Sequence, residues 1–129
     1  MSNINWQFQA AIPGGPAITV NQPNVAVDAY DVAAVTVPAT TNNFAVPIQP
    51  GTGAGDVVFL VISSSQYDAG ISYTVDALGA AHVLDGPHML VGAGAVSLLN
   101  STAPPQKLTF NNTLATDINV QVVAGRKIP

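Results

Sequence analysis

The chain has 129 residues, of which only 8% are charged, and three basic against seven acidic side chains give it a net charge of −4. So few cations argue against a grip on nucleic acid, which rests on neutralising phosphates with Lys and Arg, and the absence of cysteine excludes disulfides and thiolate metal sites. Every acid is Asp and none is Glu, so the straight-chain charged residues that cover exposed helix faces are nearly missing, and Val, Thr, Ile, Asn, Gly and Pro, the residues of strands and turns, take their place.

In chain order, Ile4, Trp6, Phe8 and Ala10 alternate with Asn5, Gln7 and Gln9, the period-two signature of a strand with one apolar face. Pro13-Gly14-Gly15-Pro16 then breaks the chain, which divides it into an N-terminal strand or arm over 1–12 and a single β-sandwich domain over 17–129. Residues 17–20 form a short extended piece and Asn21-Gln22-Pro23-Asn24 a turn. The β-branched and Ala-rich stretch 30–37 ends at Pro38, and Thr40-Thr41-Asn42-Asn43 is a polar loop. Phe44, Val46 and Ile48 alternate again, with Pro47 placing their strand at a sheet edge. A Pro- and Gly-rich turn over 49–56 leads into Val57-Val58-Phe59-Leu60-Val61-Ile62, the longest strictly apolar run. It reads as a central strand covered on both faces, and is far short of the ~20 residues needed to span a bilayer.

After a turn at 63–70, Ile71, Tyr73 and Val75 resume the alternation. Residues 82–84 lead into the Asp85-Gly86-Pro87 turn, and 89–91 and 95–99 flank Gly92-Ala93-Gly94. Leu108 and Phe110 precede a last turn at Asn111-Asn112 and the alternating strand of Ile118, Val120 and Val122. A short helix fits only at 77–81 or 93–99, and neither is long enough to stand alone. Turn signals at this spacing predict an all-β fold, an antiparallel β-sandwich of roughly 8–10 short strands, with the jelly roll as one arrangement that fits.

Four groupings hint at chemistry. Gly92-Ala93-Gly94-Ala95-Val96 begins like a dinucleotide-binding fingerprint, but Ser97 stands where the third glycine belongs and Pro104-Pro105 stops any helix. A tight approach or bulge between strands is expected there instead. His82 and His88 flank the Asp85-Gly86-Pro87 turn and, with Asp76 or Asp85, offer an incomplete zinc set, so an ordinary hairpin is expected. Ser63-Ser64-Ser65 lack the Gly-x-Ser-x-Gly elbow of a nucleophile and read as loop residues bonded to local backbone. Asp28 and Asp31, like Asp56 and Asp68, belong to no EF-hand loop and read as turn caps. No catalytic, cofactor-binding or metal-binding residue is assigned, and no cofactor is expected. The sequons at Asn100 and Asn111 are matches of an Asn/Thr-rich chain, because Met1-Ser2-Asn3-Ile4-Asn5-Trp6 lacks the features of a secretory signal.

A nearly uncharged chain with a mean hydropathy of +0.36 is a poor recipe for a free monomer. The composition, Ala/Val/Thr/Asn/Pro-rich and cysteine-free, has the character of small virion structural proteins. The expectation is a non-enzymatic subunit of a larger assembly, a homo-oligomer or a partner of capsid or tail proteins, and most specifically a bacteriophage capsid-decoration, head or tail surface protein. It would be made in the host cytoplasm and reside in the virion, with neither nucleic acid nor membrane as a partner. Assembly contacts are expected at Ile4, Trp6 and Phe8, where 1–11 would add a strand to a neighbour, and at Arg126 and Lys127. The alternative is a carbohydrate-binding or adhesin β-sandwich module, for which Tyr67 is the natural stacking ring.

Overall fold

A computed structural model describes residues 2–48, 57–76, 78–101 and 105–127. The turn expected over 49–56 lies outside the described residues, as do Ala77, 102–104 and the last two positions. Ten strands are described: β1 (Ser2–Ala11), β2 (Ala17–Val27), β3 (Ala29–Val37), β4 (Thr41–Pro47), β5 (Val57–Ser64), β6 (Ile71–Val75), β7 (Leu78–Val83), β8 (His88–Val91), β9 (Lys107–Asn112) and β10 (Ile118–Arg126). One helical turn, α1 (Ala93–Val96), follows β8. The protein is all-β, as its missing Glu and scarce Lys and Arg predict.

Two four-stranded antiparallel sheets, ordered β3-β10-β5-β8 and β4-β9-β6-β7, share one core. Their pairings are nested, with β3 on β10, β4 on β9, β5 on β8 and β6 on β7. It is as if one long hairpin had been rolled until β10 also met β5 and β9 also met β6. That pairing makes the sandwich a jelly roll. Leu60, Ile62, Val120 and Val122 of one sheet pack between Val46, Ile71, Tyr73, Leu108 and Phe110 of the other. Each such buried side chain stabilises the fold by roughly 1.5–3 kcal/mol.

The apolar run 57–62 lies in β5, an interior strand between β10 and β8. Leu60 and Ile62 enter the core and Phe59 is buried on the opposite face, whereas Val58 and Val61 are only half-buried. Burial on both faces is therefore complete only where the N-terminal ribbon described below lies over Phe59. β4, carrying Pro47, stands at a sheet edge.

Several local expectations are corrected. Asn21-Gln22-Pro23-Asn24 is no turn, since β2 runs through it. The register shifts between Ile4 and Trp6, which pair with Val25 and Gln22, so β2 carries one extra residue and Pro23, with no N–H to donate, sits in the bulge. Residues 41–43 belong to β4 and 78–81 to β7, while Asn111 and Asn112 end β9 and the turn they mark follows directly, over 113–117. Gly92 precedes α1 instead of forming a strand bulge. β7 and β8 make no hairpin, because the turn between them carries the chain from one sheet to the other.

Two polar side chains tie the loops to the sandwich. Asn112 is fully buried, and its Nδ2 donates to the carbonyls of Val37, Pro38 and Thr116 while its Oδ1 accepts from the Leu114 N–H. Asp76 accepts from the N–H groups of Gln106 and Lys107 and from Asn100 Nδ2.

Candidate functional site

β1 and β2 form a separate two-stranded ribbon, paired from Ser2 opposite Val27 to Ala11 opposite Ala17. The Pro-Gly-Gly-Pro segment closes it. The Gly15 N–H donates to the Ile12 carbonyl at 2.8 Å, and Gly14 takes φ 75°, so Pro13-Gly14 forms the type II turn for which proline first and glycine second are suited. Directly opposed residues share a face. Ile4 with Val25, Phe8 with Val20, and Ala10 with Ile18 therefore make one face apolar, while Asn3, Gln7, Gln9 and Thr19 lie on the other.

The base of the apolar face rests on the outer side of the β3-β10-β5-β8 sheet. Val27 is buried, and Ile4 and Trp6 are half-buried. Gly125 makes the close approach feasible: a Cβ there would lie 2.8 Å from Ile4 Cδ1 and 2.9 Å from Val27 Cγ1. Beyond Trp6 the same face has no cover. Exposure is 44% at Phe8 and Val20, 49% at Ile18 and 55% at Ile12. A two-stranded ribbon is marginal on its own, so its outer half gains little stability from the chain that carries it.

Trp6 is the single tryptophan, and its Nε1 is buried without an acceptor among the described residues. Its fluorescence reports how the ribbon base is seated. Gly125→Val is expected to displace Ile4 and Val27, red-shift Trp6 emission and cost about 1–3 kcal/mol in urea unfolding, the usual range for overpacking. Unchanged emission would mean that the ribbon base does not rest on Gly125.

Strand register gives the rest of the outer face. Tyr30, Gly125, Phe59 and Val91 form one row, and Val32, Val123, Val61 and Met89 the next. Tyr30 is 56% exposed and Val32 52%. Further along, Ala34, Gln121 and Ser63 and then Thr36 and Asn119 turn the face polar. An open cleft of about 490 Å³ lies over this polar half. Among the described residues, none of these rows carries a charge.

No protein-family model, curated protein or solved structure matches the chain.

Of the residues expected to make assembly contacts, Ile4 and Trp6 face this chain's own sheet, Phe8 is exposed, and Lys127 is exposed near the end of β10. Arg126 Nη2 lies 3.0 Å from Asp31 Oδ2, an ion pair by charge and distance although not aligned as a hydrogen bond. Asp28 marks the bend between β2 and β3, where its N–H donates to the Arg126 carbonyl. Tyr30, Val32 and Met89 were not singled out from sequence. The β-branched and Ala-rich stretch 30–37 and the run 89–91 carry no polar–apolar alternation that marks an outer face, and which face each residue serves depends on the distant strands β10 and β5.

Among the described residues Ser63, Ser64 and Ser65 bond to backbone groups and to the Tyr67 hydroxyl, not to a histidine. Ser64 and Ser65 accept from the N–H groups of Gln66 and Asn119, and Ser63 reaches the Gln121 carbonyl. His82 and His88 approach from different sheets and flank the ring of Tyr73 at 5.4 and 5.5 Å between centroids. Tyr73 Oη and His88 Nδ1 are 2.6 Å apart, a hydrogen bond across the sandwich. Burial pushes the Tyr73 phenol up to about 12.

A phenol bound more tightly to its proton in the folded state than in the unfolded chain, where it titrates near 10, contributes stability below pH 10 that is lost as pH rises toward 12. The expected slope is about 1.4 kcal/mol per pH unit across that window. Tyr73→Phe should cost about 1–2 kcal/mol at neutral pH, where the bond to His88 is lost. It should also flatten the alkaline slope, measured by urea unfolding from pH 8 to 12. A variant with the wild-type slope would assign that loss to other groups.

Proposed function

We propose that the protein is a non-enzymatic structural subunit of a larger assembly, and most specifically a bacteriophage virion surface protein that decorates a capsid, head or tail. The observation that carries this is the pairing of two uncovered apolar surfaces on a nearly uncharged jelly roll: the outer half of the ribbon, and the sheet face at Tyr30 and Val32. Capsid domains are among the proteins built as jelly rolls, which supports the reading by analogy of fold alone. Many copies making modest apolar contacts gain durability from effective concentration.

In a density gradient of lysate from the organism that makes it, the full chain is expected to sediment with particles far larger than itself. It should stay there at about 1 M salt, where charges are screened beyond ~3 Å. Recovery only as a small soluble species would overturn the proposal.

A second reading, a carbohydrate-binding or adhesin module, is favoured by the polar cleft. Thr36, Ser63, Asn119 and Gln121 offer neutral hydroxyls and amides there. Tyr67 stands at its border, its hydroxyl accepting from the Ser64 N–H. Saturable binding of a soluble glycan, lost in Tyr67→Ala and Gln121→Ala, would favour this reading over the first.

A further inference from the structure

We infer that the free end of the ribbon seats on the outer β3-β10-β5-β8 sheet face of a second copy of this chain, so that two copies exchange ribbons about a two-fold axis. The inference rests on the assembly reading above and names its first partner. The contact already exists within one chain at the ribbon base, where Ile4 and Val27 lie over Gly125 and Phe59. That contact shows that this ribbon face matches this sheet face in chemistry, while the closest backbone approach belongs to Gly125 alone.

Both halves of the contact then continue without cover. The ribbon runs on through Phe8, Val20 and Ile18, and the sheet runs on into the row of Val32, Val123, Val61 and Met89. Ribbon and sheet diverge within one copy, since the tip residues of the ribbon are exposed. A second copy supplies the missing half to each, and two-fold symmetry satisfies both ribbons at once. Neither surface carries a charge among the described residues, so two identical copies, each with net charge −4, meet without like charges at the contact.

The free ribbon is about 20 Å long and ~10 Å wide, so reciprocal seating buries on the order of 1,000 Å² in total, the lower edge of specific interfaces. The pair is therefore expected at micromolar and not nanomolar concentration.

The test is sedimentation equilibrium of the full chain from about 5 to about 500 µM. Wild type should show a concentration-dependent dimer. Ile18→Lys at the ribbon tip and Val32→Asp on the sheet should each weaken it at least tenfold. Both positions are half exposed, and wild-type circular dichroism and Trp6 emission would establish that the variants fold. An equimolar mixture of the two variants should recover association, because one contact then pairs the new lysine with the new aspartate and the other is wild type on both sides.

A monomer at every concentration overturns the exchange. The assembly reading would still be decided separately by co-sedimentation with particles. A dimer untouched by Ile18→Lys also overturns it, and assigns pairing to another surface such as the free edge of β3. So does failure of the mixture to recover when both single variants are monomeric and folded.

Discussion

Replacing Asn112 with Asp is expected to destabilise the protein by about 3–5 kcal/mol at pH 7, the range for an uncompensated charge in a core. Asn112 is fully buried and satisfied on both atoms. The two hydrogens of Nδ2 are shared among the carbonyls of Val37 at 3.3 Å, Pro38 at 3.2 Å and Thr116 at 2.9 Å, and Oδ1 accepts from the Leu114 N–H at 3.0 Å. An amide supplies donors on one side and an acceptor on the other, whereas a carboxylate supplies only acceptors. The substitution therefore aims a negative oxygen at three carbonyl oxygens.

The cost should depend on pH. A carboxyl in this site holds its proton more tightly than in the unfolded chain, where it titrates near 3.9, so the variant recovers stability as pH falls toward about 4. Asn112→Ala should cost about 2–3 kcal/mol, with much less dependence on pH, because it removes the hydrogen bonds without adding a charge. Urea unfolding of the three proteins at pH 7 and pH 4 separates the cases. Equal losses for the two variants at pH 7 would mean that water reaches the site and solvates the new charge.

Asn112 also shows where sequence stops being informative. Asn-Asn reads as a turn, because the side chain of Asn competes for local backbone hydrogen bonds. Here both also use that capacity across the fold, Asn112 donating to the Val37 carbonyl and Asn111 accepting from the Asn43 N–H. Local alternation was legible: Ile4 and Trp6 against Asn5 and Gln7, or Val120 and Val122 against Asn119 and Gln121, divide inward and outward as period two requires. The partner of each strand was not. The jelly roll brings β3 to β10 from opposite ends of the chain, and nothing in Tyr30-Asp31-Val32 specifies Gly125 or Val123 as a neighbour. The ribbon falls between these limits. Pro13-Gly14-Gly15-Pro16 marks a break, but the continuation of β2 past Pro23, which sits in a bulge instead of ending the strand, was not legible, and it is β2 that pairs with the strand before the break.

Asp76, offered by the sequence only to an incomplete zinc set, has a structural task that sequence does not reveal. It is the third non-glycine residue with positive φ, at 51°, among the described residues. Its Oδ1 accepts from the Gln106 and Lys107 N–H groups, and its Oδ2 from Asn100 Nδ2, each at 2.9 Å. Its own N–H donates to the Lys107 carbonyl. The carboxylate thus fastens the return of the chain after α1 onto the start of β9, and is committed to structure. Asp76→Ala is expected to cost about 3–4 kcal/mol, from lost charge-assisted hydrogen bonds and from a Cβ residue held in the left-handed region. Asp76→Gly removes the second cost and should recover about 1 kcal/mol. Asp76→Asn tolerates the backbone and keeps one oxygen for the two N–H groups, while its amide nitrogen faces a donor, so a loss of about 1–2 kcal/mol is expected. The order of stability in thermal or urea unfolding should be wild type, Asn, Gly, Ala. If Gly proved no better than Ala, the positive φ would contribute nothing and the whole effect would belong to the carboxylate; if Asn matched Ala, the two backbone N–H groups would not be what Asp76 holds.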